Sequence, residues 1–438
     1  MRLGTANTYD RTLATLTTRQ AQLSELQEKL SAGKKVVRGS DDPTGAAQAE
    51  RAMTRSRRVD VEVRALNLQR NSIAVAEGTL GNSMELLQNI RQLMIAAGDA
   101  AYSPSDRAAI AQEIKGMRDQ LFGYANQVDS NGVPLFSGLG SAPQPFMDVV
   151  TGVLFNGIGG TRSGTAVSVP ATMDGEATWM NVPTGNGVFD LTLGAGGLAT
   201  APTGLDAIRG ALVPPKSGLN ATNTGQVWTG IGQVVNPGAL TGQNYVLTFN
   251  VTPHPIQPEL PPTITYDIYR YDPVADPTGA AAVPILSDQP YVDGRDISFD
   301  GMTLVAKGRP ANGDTVTVTP AVRSDLFAVL DQAIASIDGA ANGSVLSHRL
   351  AVSLAQIDSG LERISTARSQ AGELLKRADS IESTQIEKSI QLAADRSRAE
   401  DMDMISGISE FQLKQTGYQA ALQSYAQIQR LSLFNYLG

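Results

Sequence analysis

The sequence contains no cysteine, which excludes a disulfide framework, a thiolate nucleophile and every cysteine-ligated zinc centre. Histidine is almost as scarce, with His254 and His348 the only two. His254 lies in the proline-rich stretch "TPHPIQPELPP" and His348 near a helix start. An H-E-x-x-H zinc pair is therefore impossible, and no G-x-S-x-G elbow supports a Ser/His/Asp triad built on His348. His348 reads as an ordinary surface histidine. Positive charge is not in surplus either: 35 Lys and Arg against 43 Asp and Glu give a net charge of -8, which argues against nucleic acid as a partner. No stretch approaches the roughly 18 apolar residues of a membrane span. The opening residues "MRLGTANTYDRTLATLTTRQ" also lack the apolar segment and small-residue cleavage site of a secretory signal. Such a chain either stays inside the cell or leaves by a route that reads no such signal.

What remains is a 438-residue chain, 42% hydrophobic but only 5% aromatic. It is long enough for two or more domains, and its stability has to come from regular packing and assembly. The two ends carry a helical rhythm. Tyr9, Leu13, Leu16, Gln20, Leu23, Gln27 and Leu30 alternate spacings of four and three, which places them on one seam of a helix. The same rhythm returns in Met404, Ile408, Phe411, Gln415, Tyr418, Leu422 and Tyr425. Seams with this much glutamine are poorly able to hold structure alone, so they need partner helices.

Between the first seam and the next helix lies "LSAGKKVVRGSDDPTGAA". Gly33 suits the left-handed residue that closes a helix, with Lys34 and Lys35 beside the negative end of its dipole. Asp41 and Asp42 suit the amides of a helix start, and Pro43 its first turn. A carboxylate pair serving as metal ligand or acid/base lacks a third ligand nearby, so capping is the preferred reading. Ala52, Val59, Leu66, Ile73, Leu80, Leu87 and Met94 then recur every seven residues, a rod on the order of 75 Å long at 1.5 Å per residue. "YSPSDRAAIAQEI" restarts a helix capped by Ser103 and Pro104, running to about Asn126. A matching seam runs from Leu350 through Ile357, Ile364 and Ala371 to Ala378.

Residues 141–321 are another material, rich in Gly, Pro and Thr, with short alternating stretches. Phe189, Leu191 and Leu193 share one face, as do Tyr245, Leu247, Phe249 and Val251, and Val316 with Val318. This predicts an antiparallel β module inserted between two sets of helices. The fold class expected is therefore α+β and multidomain, with long N- and C-terminal helices packed as a coiled coil or bundle around a central β-rich insertion. Asp401 and Asp403 point apart on a helix and read as solvated charge. The run Arg51, Arg55, Arg57, Arg58 and Arg64 reads as a solvated face, with a neighbouring subunit as the lesser alternative. The N-x-[ST] matches at Asn220, Asn250 and Asn342 carry no weight.

Several separated stretches resemble one family. "LSAGKKVVRGSDDPTGAA" is similar to the N-terminal motif of the flagellin superfamily. "SPSDRAAIAQEI", "YANQVDSNGVPLFSG" and "ALQSYAQIQRLSLFNYLG" resemble its hook-associated junction branch rather than flagellin itself. "FDGMTLVAKGRPANGDTVTV" is similar to the strand segment by which such proteins return from their outer domain. The resemblance covers about residues 1–140 and 322–438.

It implies a structural subunit, not an enzyme, with no cofactor and no metal. The expected domains are a terminal axial coiled coil from residues 1–41 and 397–438, mobile in the monomer; a helical rod from 42–140 and 322–396; and a β-rich outer domain from 141–321. The assembly interface would be Tyr9, Leu13, Leu16, Leu23, Leu30, Met404, Ile408, Phe411, Tyr418, Leu422 and Tyr425. Gly33, Asp41, Asp42 and Pro43 would form the hinge. The implied partners are hook-associated protein 1, flagellin, further copies in a ring, an export chaperone and the type III export apparatus, which would carry the chain to an extracellular flagellum without a cleaved signal. Two alternatives stay open: a flagellin-type filament subunit, and an adhesin or enzyme activity in the central β domain.

Overall fold

The computed structural model describes residues 5–99, 101–150, 152–195, 224–253, 261–272, 282–339 and 343–437. His254, Asn220 and Asn342 lie outside the described residues. The helical patterns become α1 (Thr5–Ala32), α2 (Pro43–Ala97), α3 (Pro104–Ala125), α4 (Leu326–Gly339), α5 (Gly343–Glu400) and α6 (Met404–Leu437). Two compact units result, one of residues 1–66 with 379–438 and the other of residues 67–378.

The seven-residue repeat of α2 is buried without a break, from Ala52 at 6% exposure to Leu80, Leu87 and Met94 at 0%. In the unit of residues 67–378, α2, α3, α4 and α5 bring their apolar stripes into one cluster that includes Ile73, Ile90, Ile114, Leu121, Leu330, Ile357 and Ile364. Ser103 caps α3 as the sequence predicts: its hydroxyl accepts from the Asp106 amide at 3.3 Å, while the Asp106 carboxylate accepts from the Ser103 amide at 3.1 Å. One charge enters this region. Arg118 on α3 is 5% exposed and donates to Asp331 of α4 at 3.1 and 3.3 Å and to Asp148 at 2.5 Å. Phe122 and Phe327 face its guanidinium at 5.8 and 5.6 Å.

Within the expected β module of residues 141–321, the buried side chains divide between two clusters. Strands β1 (Phe146–Val149) and β2 (Gly152–Phe155) form a hairpin, followed by β3 (Val182–Pro183). Phe146, Val153, Trp179 and Val182 belong to the helical cluster, with Trp179 stacked on Phe327 at 6.3 Å and edge-on to Phe136 at 5.6 Å. Alternation along a strand says which face is apolar but not which core it meets, and these few aromatic rings fill the space between the short-side-chained helices.

From Phe189 onward the chain builds its own core. A five-stranded antiparallel sheet joins β4 (Phe189–Ala195), β7 (Asn244–Thr252), β8 (Thr263–Tyr271), β9 (Val283–Pro290) and β12 (Asp314–Pro320) in the order β4-β12-β7-β8-β9. A smaller set holds β5 (Trp228–Thr229), β6 (Gln233–Val234), β10 (Asp296–Phe299) and β11 (Met302–Lys307), with β11 pairing β10, β5 and β6. Of the predicted faces, Phe189, Leu191, Leu193, Tyr245, Leu247, Phe249, Val316 and Val318 are buried in one cluster with Ile268 and Leu304, while Val251, near the end of β7, is half-buried. Strand β13 (Arg323–Ser324) pairs β3 before the chain re-enters the helices.

His348 departs from its sequence reading. It is 4% exposed, held near the start of α5 beneath β4 and β5, because the β module folds down onto that end of the helix.

Candidate assembly site at the paired terminal helices

Within the unit of residues 1–66 and 379–438, α1 and α6 pack against each other in opposite directions. Near one end Arg19 donates to the Gly417 carbonyl at 2.8 Å. Near the other Gly407 lies against Leu30, so closely that a Cβ there would sit 3.0 Å from the Leu30 side chain. The proposed seam residues occupy this pair unevenly. Leu16, Leu23, Leu30, Phe411, Tyr418 and Tyr425 are half-buried. Leu13, Met404, Ile408 and Leu422 remain 41–46% exposed. The Tyr9 side chain lies outside the described residues. Leu26, which the strict alternation passes over, is buried; its place three residues after Leu23 widens the stripe in the way a globular helix requires. Ile405 and Leu413 are 80% and 74% exposed and also lie off the predicted seam.

The four residues expected to form a hinge lie together at the junction of α1 and α2. Gly33 adopts φ +67°, with nothing within 4 Å of where a Cβ would be, so it is required for backbone conformation and not for space. Asp41 accepts from the amides of Val37 and Arg38 at 3.1 and 3.0 Å. Asp42 accepts from the amides of Thr44 and Gly45 at 3.1 and 3.0 Å and from the Thr44 hydroxyl at 2.7 Å. Pro43 opens α2 at its first position. These bonds hold both carboxyls below the usual carboxylate range. The Arg38 amide is the largest cause for Asp41, and the Gly45 amide, then the Thr44 hydroxyl, for Asp42.

The basic residues of the loop serve a different helix from the one the sequence suggests. Lys34 pairs with Glu400, and the Lys35 ammonium donates to the Arg398 carbonyl at 2.7 Å, both at the C-terminal end of α5. The backbone repeats the linkage: the Lys35 amide donates to the Glu400 carbonyl at 2.9 Å and the Met402 amide to the Gly33 carbonyl at 3.0 Å. Lys34 and Asp401 form an antiparallel bridge. The Lys34 ammonium, followed by the Arg396 side chain, lowers the Glu400 carboxyl. Asp403 then caps α6 through the Ile405 amide at 3.0 Å. The two turns that connect the terminal helices to the long ones are thus one hydrogen-bonded joint. Gly45 brings α2 into the same joint, where a Cβ would meet the Asp42 carboxylate at 2.4 Å and the Ala399 carbonyl at 3.1 Å.

The site is thus a pair of helices with exposed apolar side chains, tied to the long helices through a double turn. Among the described residues, no group of three or more His, Cys, Asp or Glu side chains is placed to hold a metal, and no helix is long and apolar enough to cross a membrane. The bacterial flagellin N-terminal helical region matches residues 4–141 and the bacterial flagellin C-terminal helical region matches 354–437. Together they take in about half of the chain.

The chain belongs to the flagellin family.

Among relatives within that family, flagellar hook-associated protein 3 of Escherichia coli is 29% identical over 190 residues, 43% of this chain and 57% of the relative. Its namesake in Salmonella typhimurium is 32% identical over 152 residues, 35% and 48% of the two chains. The chain spans about half the length of these relatives. The crystal structure of the flagellar junction protein FlgL from Legionella pneumophila superimposes with a TM-score of 0.62 at 25% identity, covering 76% of this chain and 99% of that one. The flagellin-family fold, with long terminal helices around a central β region, is the architecture seen here.

Proposed function

We propose that this flagellin-family chain is a structural junction subunit of the bacterial flagellum, playing the part that the name hook-associated protein 3 describes. The observation that carries the reading is the likeness along nearly the whole length of the Legionella junction protein, joined to terminal helices that leave Leu13, Ile408 and Leu422 exposed when paired only with each other. Copies would form a ring on hook-associated protein 1 and present a surface for flagellin. The terminal pair, about residues 1–41 and 397–438, would act as the axial domain, residues 42–140 and 322–396 as the rod, and residues 141–321 as the outer domain. Export by the flagellar type III apparatus with a chaperone on the last helix, and delivery to an extracellular site without a cleaved signal, belong to the same proposal. The seam residues then complete their burial against neighbouring copies, and the joint at Gly33, Asp41, Asp42 and Pro43 sets the angle at which the terminal pair leaves the rod.

Immunogold labelling of intact bacteria with an antibody against residues 141–321 tests the role. One band of label between hook and filament is expected, whereas label along the filament would make the chain a flagellin-type subunit. Replacing Leu16 and Leu422 together with Asp is expected to remove that band while the β module stays folded, because charge would enter the seam on assembly. Normal incorporation of the double variant would overturn the seam assignment.

A further inference from the structure

The run of arginines on α2 has no part in the hinge or the terminal seams. Arg51, Arg55, Arg57, Arg58 and Arg64 are all exposed. Arg58 pairs with Glu62 at 3.0 Å and Arg64 donates to the Asp60 carbonyl at 3.2 Å. Arg51, Arg55, Arg57 and Arg64 make no ion pair among the described residues. Three of the five surround an apolar side chain. Val61 is 57% exposed, with Arg57 and Arg58 four and three residues before it and Arg64 three after, the spacings that make neighbours on a helix surface. Ala65, four residues after, is exposed on the same patch.

The counterpart lies on α5. Ile386 and Ile390, one turn apart, are 51% and 65% exposed. Glu382 stands four residues before Ile386 and Glu387 three before Ile390, and neither carboxylate has an ion pair among the described residues. Lys388 is two residues from both isoleucines and so lies on another side of the helix. Within the unit of residues 1–66 and 379–438, α2 and α5 run antiparallel: Gln385 donates to Glu62 at 3.2 Å, and Ala52 shares a cleft with Leu392. Val59 and Gln385 face inward, at 2% and 3% exposure. Val61 is turned about 200° from Val59, and Ile386 about 100° from Gln385. In an antiparallel pair those rotations carry the two patches to opposite sides.

We propose that these two patches dock on each other between copies of this chain: the arginine-rimmed Val61 of one copy against the glutamate-rimmed Ile386 and Ile390 of the next. Apolar centres with rims of opposite charge match core to core and rim to rim, whereas either patch against its own kind sets like charges together. A contact between two different patches on opposite sides of one molecule is heterologous and passes from copy to copy, as a ring or a helical row needs. A partner of other sequence would cover one patch and leave the second in water; a second copy covers both. The inference rests on the junction reading for its place in the flagellum. It adds to that reading a side-by-side contact separate from the terminal seams.

The chain has no cysteine, so introduced thiols are unambiguous. Flagella from cells making the full chain with Val61→Cys and Ile386→Cys together are treated with a short bismaleimide cross-linker. The expected result is a ladder of dimers, trimers and higher multiples of the chain, with monomer alone from either single variant. Ala65→Cys with Ser383→Cys, which spares the apolar anchors, is expected to give the same ladder and serves where the first pair is not incorporated. In the background that cross-links, Arg57→Glu with Arg64→Glu is expected to cut the cross-linked fraction several-fold, and Glu382→Arg with Glu387→Arg added to them to restore it. Monomer alone from both cysteine pairs, multiples from a single-cysteine variant, a product with another protein in place of the ladder, or no recovery on the second charge reversal would each overturn the inference. Immunogold labelling of the same cells separates the two readings. A junction band without a ladder removes this contact and leaves the junction role, while a ladder from flagella labelled along the filament keeps the contact and removes that role.

Discussion

The buried seam of α2 recurs every seven residues and the seams of the paired terminal helices alternate fours and threes, two forms of one helical period that meet different ends. Leu66, Ile73, Leu80 and Leu87 are at most 1% exposed, while Leu13, Met404, Ile408 and Leu422 keep 41–46% of their surface. Spacing decides which side chains share a face; the number of neighbours decides whether that face is dry. In the unit of residues 67–378, α2 has α3, α4 and α5 around the same cluster. In the other unit, the α1 face packs against α6. A rhythm in sequence is thus a statement about shared faces, and the exposed surface at the termini is what the proposed assembly would cover.

Truncating one side chain in each region breaks or sharpens this contrast most strongly. Leu80→Ala, in the fully buried seam, is expected to cost about 2–5 kcal/mol, read from the denaturant midpoint of the purified chain. Leu413→Ala, the same deletion on the terminal pair, is expected to stay within about 0.5 kcal/mol. Equal effects would mean that the terminal helices are already a finished core. A smaller effect is expected at the joint between the regions. Gly33→Ala meets no steric obstacle but must hold φ +67°, a cost of about 1 kcal/mol, seen as faster amide exchange at residues 33–36. If exchange there is unchanged, the turn has another conformation open to it.

The smallest effect is one of acidity. Asp41 and Asp42 have carboxyls lowered from an ordinary value of 3.8. Their contribution to the folded junction is present above that value and is lost as pH falls below it through the folded values. The Thr44 and Gly45 amide resonances should move together in that window, and Asp42→Asn should flatten the Gly45 shift. Movement of both at pH 5 or above would contradict the capping geometry.

What was legible in the sequence was local. The caps at Asp42 and Ser103, the left-handed Gly33 and the buried face of each strand depend on residues a few positions apart, so a single segment carries all the information. Distant partnerships were not legible. Lys34 and Lys35 looked like caps for their own helix, but their partners lie more than 360 residues away at the end of α5. His348 looked like a surface residue because its burial is imposed by strands 119 and 157 residues earlier. Arg118, enclosed by Asp148, Asp331 and two phenylalanines, gave no sign at all, since an isolated arginine on an amphipathic helix is ordinarily solvated. The role proposed for the seam residues in assembly rests on pattern and family resemblance.

Where the β core begins and ends, the chain passes itself at close quarters. Phe189, at the start of β4, pairs with Pro320, at the end of β12. Just outside them the Thr184 amide donates to the Val322 carbonyl at 2.8 Å and the Ala321 amide to the Val188 carbonyl at 2.9 Å. A segment whose way in and way out are zipped together behaves as a cassette: it can be enlarged or shortened with little strain on its host, because the host meets it at two adjacent strand ends and where Leu191 and Thr229 cover His348. Reporter peptides or affinity tags could therefore be carried on this chain in loops between residues 189 and 320, with Leu191 and Thr229 kept in place over His348.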